Sequence, residues 1–215
     1  MGRKHLTKRQ KLFLAAYNPF FGKMLGWRQD SINAEFTRTY GVAALLKFGK
    51  TIGDALAYLS ERYGEADAQH LVGFAGLMNG CRFCGIGHNL TANVTIFQES
   101  GTLFPVDELE IPDLQLRPDE EIMEVFRNRL SNTRWSKLLT LIERMEELRL
   151  GSPRTESDDD TYLGLALDLW GWNNECTIET GFNINPKDVP SFAKFNGDRA
   201  LYERYRAARA ANHTG

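Results

Sequence analysis

Two cysteines and a histidine stand at a spacing that supports chemistry. They are Cys81, Cys84 and His88, in the run Asn79-Gly80-Cys81-Arg82-Phe83-Cys84-Gly85-Ile86-Gly87-His88. On an α-helix, steps of three and four residues return to the same face. The pattern C-x-x-C-x-x-x-H therefore makes one stripe of two thiols and an imidazole. Such a set suits thiol–disulfide chemistry or metal binding. A tetrahedral metal site needs a fourth ligand, which Cys176 or His70 would have to supply. A single helical turn also splays its ligands more than a zinc knuckle does.

The flanking residues say how the stripe is presented. Asn79-Gly80 is a turn signal that ends one helix and puts Cys81 in the first turn of the next. Unsatisfied N–H groups and the positive end of the helix dipole lie there, and both favour a thiolate. His88, one turn beyond Cys84, is placed to take a thiol proton, to stabilise the thiolate as imidazolium, or to protonate a leaving oxygen. Gly85 and Gly87 each cost a helix about 1 kcal/mol relative to Ala. That cost points to a backbone approached closely by another helix, a subunit or a substrate.

The same ten residues resemble the signature of the carboxymuconolactone decarboxylase / AhpD-like alkylhydroperoxidase superfamily, in its peroxidase-related branch. The match covers about residues 67–97. The resemblance implies an all-α, AhpD-like helical bundle, usually assembled as a homo-oligomer. It implies that Cys84 attacks the peroxide oxygen and that Cys81 resolves the sulfenic acid as a disulfide. It assigns His88 to a proton relay and a dithiol reductant to the recovery step. The family usually carries a relay glutamate twelve residues before the first cysteine. Here that place holds Gln69, which can hold a water but cannot act as a base near neutral pH. His70, Glu65 or Asp67 would replace it if the helix register differs. Phe83 stands where classical members have histidine.

Helical signals dominate the elements that must position the stripe. Residues 31–49 form an amphipathic pattern with Ser31 as a cap, and residues 54–63 form a second, stopped by Gly64. Residues 67–78 and 81–98 form the pair around the motif. Pro105, Pro112 and Pro118 mark 101–118 as a long loop. Helices follow at 119–130, 134–150, 161–180 and 198–211. Asp158-Asp159-Asp160 reads as a solvated loop or as the acids opening the next helix. No alternating strand pattern, repeat or low-complexity linker is found, so a single all-α domain is expected over 31–215, preceded by a basic segment at 1–30.

Composition excludes several classes. The formal net charge of −2 argues against a dedicated nucleic-acid binder. No apolar run approaches a membrane span. The three cysteines, with no clear secretion signal, read as redox or metal chemistry in a reducing, cytoplasmic setting rather than as a disulfide framework. Arg3, Lys4, Lys8, Arg9, Lys11, Lys23 and Arg28 precede the first acidic residue, Asp30. They describe a solvated basic helix packed by its aromatics, with docking onto an anionic membrane or an acidic partner as the lesser reading. No P-loop, Rossmann fingerprint or G-x-S-x-G elbow is present, and no cofactor is expected. Cys176 reads as a buried structural cysteine, and Trp170, Trp172 and Phe182 as core aromatics. Nothing singles out Asp168 or Glu175, and His5 and His213 belong to exposed ends. The expected activity is reduction of hydroperoxides, or disulfide exchange, through Cys84, Cys81, His88 and Gln69. The rivals are a non-catalytic helical scaffold with an altered relay and a zinc-binding domain.

Overall fold

A computed structural model describes residues 5–25, 28–179, 189 and 198–213; the side chains of residues 24, 25, 170, 172–179 and 213 are outside the description. Among the described residues the fold is all-α, with no strand. Its elements are α1 (Lys8–Leu25), α2 (Asp30–Tyr40), α3 (Val42–Tyr63), α4 (Glu65–Met78), α5 (Arg82–Ser100), a 3-10 turn (Glu108–Glu110), α6 (Ile111–Leu114), α7 (Asp119–Leu130), α8 (Ser136–Arg149), α9 (Asp158–Glu179) and α10 (Arg199–His213).

Helices α4 and α5 are the centre of the molecule. Every residue from Ala68 to Leu77, and from Phe83 to Ile96, is buried. Helices buried around their whole circumference need neighbours on every side, and their polar side chains need partners there. Around α4 lie α3, α5, α8 and α9, while α5 also meets α10 and the 104–114 segment. The main core joins Leu71, Phe74 and Leu77 to Phe126, Leu138, Ile142 and Leu163. A second, smaller core joins Leu14 of α1 to Phe36, Leu45 and Phe48. The basic N-terminal stretch is thus a docked helix over Lys8–Leu25. Asn33 Nδ2 donates to Asn18 Oδ1 at 2.9 Å in that buried contact.

Several expected boundaries move. The break expected between residues 49 and 54 is absent, and α3 runs unbroken through Gly49 and Gly53. The break falls instead at Gly41, whose φ of +89° is open to glycine and strained for other residues. Ser31 is not a cap: α2 begins one residue earlier, with Gln29 at its N-cap and no side-chain cap bond. The 101–118 segment is not a plain loop. It buries Phe104, Val106, Ile111 and Leu114 and folds into the 3-10 turn and α6. An Asp107/Glu110 capping box opens the turn. Pro112 sits in the first turn of α6, where its missing N–H costs nothing. Asp158, Asp159 and Asp160 form the first turn of α9. Asp160 is buried against Arg144, at 2.5 Å, and that guanidinium holds its carboxyl well below the usual carboxylate range.

Candidate functional site

The site grows from the turn between α4 and α5. Gly80 takes φ +78°, which reverses the chain and delivers Cys81 to the N-cap of α5. There the Cys81 sulfur accepts the backbone N–H of Cys84 at 3.2 Å. It fills the role that a Ser or Asp oxygen usually takes at a helix start. That N–H and the helix dipole both stabilise negative charge on this sulfur. The two sulfurs are 2.8 Å apart. Neither cysteine is in a disulfide, and both are buried, each only 2% exposed.

Glycines let the two helices close on each other. A Cβ on Gly76 would lie 2.7 Å from the Gly85 backbone N and 2.9 Å from Cys84 Cβ. One on Gly85 would lie 2.9 Å from Ile111 Cγ2 and 3.4 Å from the Leu77 backbone N. One on Gly73 would lie 2.5 Å from Asn89 Nδ2. The close approach expected at Gly85 is therefore made by α4 and by Ile111.

His88 sits one turn past Cys84, and Gln69 is its partner across the helix pair. His88 Nδ1 and Gln69 Oε1 are 2.7 Å apart. An amide oxygen only accepts, so this bond puts the imidazole proton on Nδ1 and the lone pair on Nε2. Burial pushes the His88 pKa down to about 3, which keeps the ring neutral. Position 69 is thus the residue that faces the motif histidine. Glu65 is exposed, and Asp67 is half-buried.

A second histidine–amide pair runs beside the first. His70 Nδ1 meets Asn89 Oδ1 at 2.9 Å, while Asn89 Nδ2 donates to the Gly85 carbonyl at 2.7 Å. The His70 ring stacks on Phe104 with centroids 3.8 Å apart. Its Nε2 has no hydrogen-bond partner among the described residues. Burial, opposed by the Asn89 bond and reinforced by the Arg209 charge, lowers its pKa to about 4. Farther along α5, Asn93 Nδ2 donates to Glu108 Oε2 at 2.8 Å, and Tyr205 Oη donates to the same oxygen at 2.5 Å. Arg209 Nε donates to Tyr205 Oη at 2.8 Å and its Nη1 to the Phe104 carbonyl at 2.7 Å. Desolvation, then the Asp107 charge, raises the Glu108 pKa. Sequence reasoning missed this network. Its trace is the polar alternation Asn89, Thr91, Asn93, Thr95 inside a helix that is otherwise core.

The remaining candidates separate. Among the described residues no three His, Cys, Asp or Glu side chains converge as a metal site. His70 is turned to Asn89 and Phe104, and the Cys176 side chain lies outside the described residues. So do those of Trp170, Trp172, Glu175 and His213, and all of Phe182. His5 is exposed, and Asp168 pairs with Arg154 at 2.7 Å on the surface. No helix of the described residues is long and apolar enough to cross a membrane. Comparison with family models, with curated proteins and with solved structures finds no match.

Proposed function

We propose that this chain is a dithiol oxidoreductase of the AhpD-like kind, which reduces hydroperoxides or exchanges disulfides through Cys81 and Cys84. The observation that carries the reading is the pair of buried sulfurs 2.8 Å apart at the start of α5. Oxidation of either sulfur leaves the other in position to close on it.

His88 Nε2 takes the Cys84 proton. The thiolate attacks the terminal oxygen of ROOH, the O–O bond breaks, and the electron pair leaves with RO⁻, which recovers that proton as ROH. Cys84 is then a sulfenic acid. The Cys81 thiolate attacks its sulfur, the S–S bond forms, the S–O bond breaks, and hydroxide leaves as water with the Cys81 proton. An external dithiol reverses the two-electron oxidation by exchange. Attack by Cys84 rests on the resemblance. The N-cap bond favours charge on Cys81, which suits the resolving thiolate and also an attacking role in disulfide exchange. A cytoplasmic setting would supply the reductant, and a homo-oligomer is the assembly the resemblance implies.

The test is thiol titration before and after one equivalent of hydrogen peroxide. The parent should lose Cys81 and Cys84 together as a disulfide. Cys81→Ser should leave a trappable sulfenic acid on Cys84. A Cys84→Ser protein that consumes peroxide as fast as the parent overturns the mechanism. Gln69 in the relay position favours one alternative, a helical scaffold that has lost turnover; it requires no peroxide consumption with any dithiol reductant.

A further inference from the structure

We propose that the outer face of α1 is a docking surface for anionic lipid, on which the protein lies without spanning the bilayer. This surface is independent of the thiol site.

The inner face of α1 is committed to the fold. Leu14 packs into the second core with Phe36, Leu45 and Phe48. Asn18 is held by Asn33, and a Cβ on Gly49 of α3 would lie 3.5 Å from Tyr17 Oη. These contacts fix the rotation of the helix. They turn Leu12, Ala15, Ala16, Pro19 and Phe20 to the outside. Leu12 is 75% exposed and Phe20 is 69% exposed. Beside Phe20, the rings of Phe13, Tyr17 and Phe21 stack in a ladder along the flank, with centroid separations of 5.2 and 5.1 Å. A surface helix normally turns its polar side outward. This one turns outward an apolar centre.

Cations bracket that centre. Lys8, Arg9 and Lys11 stand at one end and Lys23 at the other, and all are exposed. None has an ion-pair partner among the described residues. Every one of the 28 acidic residues of the chain lies beyond residue 29. The charge is therefore polarised along the chain: α1 carries only cations and is attracted to an anionic plane. Apolar side chains in the middle of a basic helix are the pattern of a helix lying in a membrane interface.

Charge also decides against a second copy. A two-fold contact through α1 is self-complementary and sets one cationic face against another. The exposed large apolar side chains described elsewhere are Leu46, Leu116 and Leu150. Leu46 lies on α3, Leu116 follows α6 and Leu150 follows α8, three single leucines from separate stretches of the chain.

The experiment is co-sedimentation of the full chain with vesicles of phosphatidylcholine, with and without phosphatidylglycerol, at low and high salt. Binding should require the anionic lipid and weaken with salt. The pair Leu12→Gln, Phe20→Gln should bind at least about tenfold more weakly. Its melting temperature should match the parent, because both side chains are exposed. Lys8→Gln and Lys11→Gln should each weaken binding about fivefold. Equal binding to both vesicle types, or undiminished binding by the Leu12/Phe20 pair, overturns the proposal. Retention on polyglutamate without vesicle binding overturns it in favour of an acidic protein partner. A dimer lost in the Leu12/Phe20 pair overturns it in favour of a second copy.

Discussion

Replacing Gln69 by glutamate puts a carboxylate where an amide oxygen now meets the motif histidine, 2.7 Å from His88 Nδ1. The two charge centres would be about 4 Å apart. At the effective dielectric of a protein site that is worth about 4 kcal/mol, or about 3 units of pKa, before the cost of burying the new carboxylate is subtracted. A carboxylate stabilises imidazolium, so the His88 pKa should rise from about 3 toward its ordinary range while staying below 7. The ring then stays neutral at neutral pH and is a stronger base. Peroxide-driven loss of the Cys81 and Cys84 thiols should accelerate about tenfold at neutral pH. The pKa is read by NMR titration of the His88 ring, and the rate by single-turnover thiol loss. Gln69→Leu is the opposite control: it removes the acceptor that holds the proton on Nδ1, and it should slow the reaction. A raised His88 pKa with an unchanged rate would refute its role as the base. An unmoved pKa would refute the placement of residue 69.

Three further outcomes follow from the packing and the buried charges. Gly76→Ala forces a Cβ against the backbone of α5 at 2.7 Å, where no side chain can swing aside; it should cost about 2–3 kcal/mol in urea unfolding, more than Gly85→Ala, whose nearest obstacle is a side-chain methyl of Ile111. His70 and His88 have folded pKa values of about 4 and about 3, below the 6.5 of an unfolded histidine. The unfolded chain therefore binds protons that the folded protein does not between pH 6.5 and about 4, so stability falls as pH falls through that window. The His70→Gln variant should reduce that slope by about 1.4 kcal/mol per pH unit, measured by urea unfolding across the window. The raised Glu108 pKa has the opposite sign, because burial penalises its ionised form and stability is lost as pH rises above the unfolded carboxyl value. Glu108→Gln keeps an acceptor for Tyr205 and Asn93 without the charge, so it should raise the melting temperature more at pH 8 than at pH 5.

Much of the helical frame was legible in the chain. Proline before 119 and the acids after it mark the start of α7, because the proline's fixed φ and the first-turn charges act locally. The sequence pattern divides at 49–54, where Gly49 and Gly53 lower helix propensity, yet α3 runs through both. Packing of α3 against α4, α2 and α9 overrides their propensity, while Gly41 breaks the chain through its positive φ. The 101–118 segment was misread for a related reason. Its prolines said loop, but its apolar residues are spaced to plug the side of α5, a requirement visible only once α5 is in place.

For the site, the sequence by itself determined the chemistry available: two thiols and an imidazole on one helical face, opened by an Asn-Gly turn, with an amide rather than an acid at residue 69. Those are local properties, carried by residue type and helical period. Only the tertiary structure decided who meets whom. It paired Gln69 with His88 and His70 with Asn89 across two helices that touch through Gly73, Gly76 and Gly85, and it turned Leu12 and Phe20 of α1 outward. Contacts between residues nineteen positions apart depend on the relative rotation and closeness of two helices. That is set by the summed packing of the whole core, which no single stretch of sequence contains.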